Sequence, residues 1–113
     1  MPEPSIMQSL MGVIQERKAR ESGERSYVVD LMSGGVARIG AKIVEEAAEV
    51  VEAGDEPGDA GRTHLVQEVA DLVFHAMVLL GYRDVAWEDV ETELARRFGI
   101  SGIAEKQARG RSS

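Results

Sequence analysis

Apolar residues recur along most of this chain at spacings of three and four, which is the period of an amphipathic α-helix. A first helix is expected to follow Ser5, because a serine hydroxyl can cap free backbone N–H groups. A second is expected from about Val36 to Ala53. A third should run from His64 to about Leu80, capped by Thr63 and stopped by Gly81.

Helix-breaking residues separate these segments. Ser33-Gly34-Gly35 predicts a sharp break, and residues 55–61 predict the clearest loop, because Asp, Pro and Gly cluster there. A fourth helix is expected from Ala86 or Trp87 to Gly99, whereas residues 26–32 could be helical or extended. No run alternates with the period of a β-strand, so the pattern predicts an all-α fold of four to five helices.

The third predicted helix is apolar on nearly every side. Only a narrow strip is polar, formed by His64, Glu68, Asp71 and His75. Apolar residues fill one broad face (Leu65, Val69, Leu72, Val73, Ala76, Leu79, Leu80) and much of the opposite face (Val66, Ala70, Phe74, Met77). A helix of this kind is buried on both sides, and four short helices can hardly surround it. We therefore expect a four-helix-bundle-like core that is completed by homodimerisation.

Composition narrows the functional classes. The 113 residues form a single expected domain, 1–113, with a flexible tail from about residue 108. The net charge of -7 argues against a nucleic-acid surface. The absence of cysteine excludes disulfides and thiolate chemistry. No secretory leader is evident, and no segment is expected to reach the roughly 20 apolar residues that span a bilayer. These features predict a cytoplasmic protein without a membrane partner.

Five carboxylates are grouped on two of the predicted helices: Glu45, Glu46, Glu49, Glu68 and Asp71. Residues three and four apart share a helix face, and both acidic strips border an apolar face. On the second helix, that apolar face comprises Val36, Ile39, Ile43 and Val50. Two carboxylates about 4 Å apart repel by roughly 4 kcal/mol at an effective dielectric near 20. A cation between the helices would offset this repulsion, and oxygen-only ligands favour Mg²⁺.

Simpler explanations exist for each acidic group. Glutamate is a good helix former, so either strip alone could be a solvated face, but the two together favour a metal site. His75 could be a ligand, although a partly buried histidine bonded to Asp71 is favoured. His64 is expected to be exposed. A di-iron bundle would need Glu-x-x-His motifs, which this chain lacks.

Mg²⁺ held by a few carboxylates typically serves phosphate chemistry, with a neighbouring carboxylate taking the proton of a water molecule. Basic residues are then needed at the remaining phosphates. Lys42 and Arg38 precede the acidic strip on the same helix, and Lys18 ends the first helix. Lys18, like Arg96 and Arg97, could instead complement the dipole at a helix C-terminus. The chain has no P-loop motif.

The motif Glu45-Glu46-x-x-Glu49 followed by Glu68-x-x-Asp71 resembles the signature of the all-α nucleoside triphosphate pyrophosphohydrolases, the MazG-like superfamily. Further stretches narrow the resemblance to the phosphoribosyl-ATP pyrophosphohydrolases of histidine biosynthesis: residues 13–18, 26–28, 38–47, 68–75 and 101–106. Two positions depart from that pattern, because Val44 stands where glycine is expected and Phe74 where tyrosine is frequent.

The resemblance implies a Mg²⁺-dependent helical dimer that cleaves phosphoribosyl-ATP to phosphoribosyl-AMP and pyrophosphate, the second step of histidine biosynthesis. It implies Glu45 and Glu46 as catalytic residues and Lys42 as a phosphate contact beside Arg38 and Lys18. The implied metal ligands are Glu46, Glu49, Glu68 and Asp71. Two alternatives stay open: a house-cleaning pyrophosphohydrolase for other nucleotides, and a non-catalytic helical dimerisation module.

Overall fold

The computed structural model describes residues 3–20 and 26–99, and the regular structure in these ranges is entirely α-helical. Its five helices are α1 (Ile6–Lys18), α2 (Tyr27–Ser33), α3 (Gly35–Gly54), α4 (Gly58–Tyr82) and α5 (Trp87–Phe98). The predicted all-α class with four to five helices is therefore confirmed. The predicted flexible tail lies outside the described residues.

Serine caps begin the first two helices. The Ser5 hydroxyl accepts a hydrogen bond from the Gln8 backbone N–H at 3.1 Å, and the Gln8 side chain accepts one from the Ser5 N–H at 2.9 Å. Ser26 caps α2 in the same way, through the Val29 N–H at 3.0 Å. Residues 26–32, for which helix and extended chain were both open, thus comprise the cap and most of helix α2, and Gly34 separates α2 from α3.

Helix α4 begins six residues earlier than predicted, so the expected loop contracts to residues 55–57. Pro57 has the extended backbone of an N-cap residue (φ -85°, ψ 165°), and Thr63 lies inside the helix rather than capping it. Glycine is needed at position 61 of the helix, because the Glu56 carbonyl packs where the Cβ atom of any other residue would lie. Gly81 also lies within α4 instead of ending it.

The short connection folds α3 and α4 into an antiparallel pair, against which α1 and α2 pack. Side chains from all four helices form the hydrophobic core: Met11, Ile14, Val28, Leu31, Ile39, Met77 and Val78. Helix α5 lies beside α1, where Gln8 Nε2 donates to Glu88 Oε2 at 2.9 Å. The antiparallel α3–α4 pair is the element that positions the acidic residues.

Apolar surface remains exposed on α3 and α4. Val36, predicted to face the core, is 53% exposed, and Val66 on α4 is 69% exposed. Helix α4 is also long and apolar enough, by length and composition alone, to cross a membrane, so the prediction that no segment reaches this limit was wrong. A helix that is covered by protein on two sides has the same composition.

Candidate metal centre and active site

The acidic strips of α3 and α4 face each other as the sequence predicted. One carboxylate oxygen from each of Glu46, Glu68 and Asp71 lies within 4.8 Å of the other two. Glu46 is buried, Glu68 is partly buried and Asp71 is exposed, so the group is open to solvent on one side. These three residues form the carboxylate cluster, and they are three of the four predicted metal ligands.

Glu49, the fourth predicted ligand, extends the cluster along α3. Its carboxyl group lies close enough to those of Glu68 and Glu46 to share a proton with one of them. Burial is the main cause that raises the pKa of Glu46, and its bond to Glu49 adds to this effect. The hydrogen bond to Glu68 is the main cause that raises the pKa of Glu49. Both groups thus hold protons more tightly than an ordinary glutamate, as expected where negative charges crowd together.

Two carboxylate oxygens in the cluster are buried without a hydrogen-bond partner among the described residues: Glu46 Oε2 and Glu68 Oε2. An unsatisfied buried polar group costs about 1–3 kcal/mol, and more if it is charged. A hard divalent cation bound among these carboxylates would supply the missing partner, and an all-carboxylate donor set suits Mg²⁺ better than a softer metal. The residues present therefore fit the expected metal.

Lys42 lies at the edge of the cluster, one turn before Glu46 on α3. Its Nζ is 2.8 Å from Glu45 Oε2 and 3.7 Å from Glu46 Oε1. The hydrogen bond between Lys42 and Glu45 raises the pKa of the lysine and lowers that of the glutamate. Glu45, predicted to be catalytic, has a half-exposed side chain and is not one of the three residues of the carboxylate cluster. Arg38, further back on α3, donates to the Asp30 carbonyl at 3.1 Å.

Lys18 lies far from the carboxylate cluster. Its Nζ donates to the carbonyls of Gly81 (2.9 Å) and Tyr82 (3.2 Å) and pairs with Asp84 at 2.7 Å. Gly81 is ten residues beyond Asp71 on α4, which is about 15 Å along the helix. The expected phosphate contact finds no support in this position. The alternative, in which Lys18 interacts with carbonyls at a helix C-terminus, describes the observed contacts.

His75 is buried and uses both ring nitrogens within the protein. Nδ1 lies 2.7 Å from the Asp71 carbonyl oxygen, which can only accept, so Nδ1 carries the proton. Nε2 therefore accepts from the Tyr27 hydroxyl at 2.6 Å. The favoured prediction of a buried histidine bonded to Asp71 is confirmed, with the backbone as its partner. Tyr27 belongs to one of the stretches that support the family resemblance, but the helical pattern does not indicate its contact with His75, which lies 48 positions away.

His64 is only partly exposed, contrary to the simple expectation of a solvated side chain. Its Nδ1 lies 3.0 Å from both carboxylate oxygens of Glu56, and its Nε2 lies 3.2 Å from Glu68 Oε1. Glu56 is the main cause that raises the pKa of His64. The i, i+4 spacing of His64 and Glu68 could have indicated their contact, but the early start of α4 concealed the contact with Glu56.

The chain is similar to known proteins over almost its whole length. A family model described as phosphoribosyl-ATP pyrophosphohydrolase matches residues 7–98, which include every carboxylate of the cluster. A Rhodopirellula baltica protein named phosphoribosyl-ATP pyrophosphatase is 48% identical over 110 residues, covering 96% of this chain and 91% of its own length. A protein of the same name from Geotalea daltonii is 49% identical, covering 94% of this chain and 96% of its own length. One from Neisseria meningitidis serogroup C is 46% identical, covering 96% of this chain and 97% of its own length.

Proposed function

Because the chain belongs to the phosphoribosyl-ATP pyrophosphohydrolase family, we propose that it hydrolyses phosphoribosyl-ATP to phosphoribosyl-AMP and pyrophosphate, the second step of histidine biosynthesis. The named relatives are phosphoribosyl-ATP pyrophosphatases, which hydrolyse a pyrophosphate bond. The observation that carries the proposal is the carboxylate cluster, in which two buried oxygens have no partner within the described part of the chain. A cytoplasmic location fits a biosynthetic enzyme of this kind.

Glu46, Glu49, Glu68 and Asp71 would hold Mg²⁺, which would neutralise phosphate charge and make water more acidic when bound there. Glu46 is also the proposed proton acceptor, because it is the buried carboxylate of the cluster. In the reaction, the oxygen of a water molecule forms a bond to phosphorus, the α–β phosphoanhydride bond breaks, and pyrophosphate leaves. The water's proton goes to the accepting carboxylate.

Lys42 supplies positive charge at the edge of the cluster, where phosphate oxygens of the substrate would lie. Glu45 holds this ammonium group through the 2.8 Å contact, and its lowered pKa makes it a weaker base than Glu46. Arg38 lies one turn before Lys42 on α3, and it would extend this basic edge if its guanidinium, which donates to the Asp30 carbonyl, turned towards the substrate. Lys18 has no part in the proposed site, because its contacts are with the end of α4.

A second copy of the chain would complete the molecule. Exposed valines follow a helical stripe on α3 (Val44 71%, Val51 74%) and on α4 (Val66 69%, Val69 39%). Exposed apolar stripes on the two central helices favour a homodimer whose subunits pack through these faces. The nucleoside part of the substrate would then lie between helices of the two subunits.

The proposal is tested by pyrophosphate release from phosphoribosyl-ATP, with and without Mg²⁺. We expect turnover by the wild type and at least a 100-fold loss in Glu46→Gln and Asp71→Asn. The matched control is Glu52→Gln, an exposed acid on the same helix as Glu46, which should keep full activity. A panel of ordinary triphosphates is assayed in parallel. A preference for those substrates would favour the house-cleaning alternative, and inactivity with every substrate would favour the dimerisation module.

A further inference from the structure

His64 connects the turn between α3 and α4 to a residue of the carboxylate cluster. Its two ring nitrogens contact different carboxylates, Glu56 on one side and Glu68 on the other. Neither contact is needed to form the helix, and His64 is not among the three residues whose oxygens converge. The two contacts of His64 therefore suggest a role at the carboxylate cluster rather than in forming the helix.

The Glu56 end of this connection is fixed by the backbone. The Glu56 N–H donates to the Ala53 carbonyl at 3.1 Å, which anchors Glu56 to the end of α3. Its own carbonyl packs against Gly61, where a side chain would not fit. The backbone of Glu56 is thus held beside the first turns of α4, which keeps its half-exposed carboxylate within reach of His64.

The Glu68 end determines how that carboxylate is presented. His64 Nε2 lies 3.2 Å from Glu68 Oε1, whereas Glu68 Oε2 is buried and without a partner among the described residues. The Glu68 side chain is 14% exposed, and nearby Glu46 and Asp71 repel it. Glu49 brings a further carboxyl group close to Glu68 and adds to this crowding. Without the attractive contact from His64, rotation of the Glu68 carboxylate towards solvent would relieve the repulsion.

We propose that His64 is a positioning residue, which holds Glu68 Oε1 so that Oε2 stays directed into the cluster as a metal ligand. This inference rests on the proposed metal site. Ligating carboxylates are commonly oriented by hydrogen bonds from neighbouring groups, and losing such a partner typically lowers metal affinity about 10- to 100-fold.

Two amide substitutions separate the two contacts of His64. A glutamine amide nitrogen reaches about as far as Nε2, so His64→Gln keeps the contact with Glu68. An asparagine nitrogen reaches about as far as Nδ1, so His64→Asn keeps the contact with Glu56 and loses the one with Glu68. Gln67→Asn, an exposed change on the same helix, is the control for any general effect of asparagine.

The measurement is calorimetric titration of the full chain with Mn²⁺ and Mg²⁺, without substrate. We expect His64→Asn to weaken metal binding about tenfold and His64→Gln and Gln67→Asn to stay within about twofold of the wild type. Equal affinities for the two His64 variants would overturn the positioning role while leaving the metal site intact. A wild type that binds neither ion would overturn the metal site, and the role of His64 with it.

Discussion

At the scale of single residues, the carboxylate cluster crowds negative charge at the edge of the core, and the contacts from Lys42 and His64 offset it only in part. Glu46 and Glu49 hold their protons more tightly than ordinary glutamates, and Glu46 and Glu68 each have one buried oxygen that finds no partner in residues 3–20 and 26–99. Such a cluster destabilises the metal-free chain, because like charges are held together at the edge of the core. The cluster is therefore better explained by ligand binding than by a contribution to the stability of the fold.

The raised pKa values predict opposite effects of pH on stability and on metal binding. The folded metal-free chain should bind more protons at Glu46 and Glu49 than the unfolded chain does. Its stability should therefore rise as pH falls through the raised pKa values towards about 4.5, the ordinary value. Mg²⁺ affinity should fall over the same window, because ligands must be ionised.

Urea denaturation in a chelator and Mg²⁺ calorimetry, each over a pH series, measure the two effects. Glu46→Gln should flatten the rise in stability. Below about pH 4.5, Glu45 and Glu93 act in the opposite direction, since their pKa values are lowered and their stabilising contacts are lost on protonation. If Mg²⁺ affinity did not change between the raised pKa values and about pH 4.5, the assignment of Glu46 and Glu49 as metal ligands would be contradicted.

At the scale of helices, the contact between Gly61 and the Glu56 carbonyl defines where α4 begins. Gly61→Ala should destabilise the protein by about 1–3 kcal/mol, because the new methyl group overlaps the backbone despite the better helix propensity of alanine. Gly12→Ala is the control, since α1 leaves open space at that position, and it should stabilise by about 0.5–1 kcal/mol. Chemical denaturation of both variants measures the difference, and equal stabilities would contradict the close approach.

The hydrogen bond between Tyr27 and His75 joins α2 to α4 behind the cluster. Tyr27→Phe should cost about 1–3 kcal/mol, because it leaves the buried Nε2 of His75 without a donor. Tyr82→Phe provides the matched control, because the Tyr82 hydroxyl makes no hydrogen bond with the described residues, and this variant should be about as stable as the wild type. Thermal denaturation of both variants decides the point, and a neutral Tyr27→Phe would show that the bond contributes nothing.

The sequence predicted the helices best where their apolar period is long and their ends carry clear signals. Ser5 and Gly99 marked true helix ends, and the pairing of α3 with α4 brought the acidic strips together as expected. Residues 58–61 were misassigned because glycine and aspartate favour loops locally, whereas the packing of Glu56 on Gly61 is a tertiary contact. The positions of Lys18 and Tyr27 also depend on contacts distant in sequence, which a local pattern does not encode.

At the scale of the whole molecule, the exposed valines of α3 and α4 call for a covering surface. In the proposed homodimer, Val66→Glu would place a charge in the interface and should convert the dimer to a monomer. Val13→Glu, on the exposed side of α1, is the matched control and should leave the assembly unchanged. Sedimentation velocity measures both, and a wild type that sediments as a monomer would contradict the proposal.

The central claim is that the carboxylates of α3 and α4 form a magnesium site, and calorimetric titration of Mg²⁺ tests it most directly. The wild type and Glu52→Gln should bind the ion with the same affinity, whereas Glu46→Gln and Asp71→Asn should bind it at least tenfold more weakly while remaining folded. A wild type that binds no Mg²⁺ with or without nucleotide, or cluster variants that bind it as the wild type does, would contradict the account.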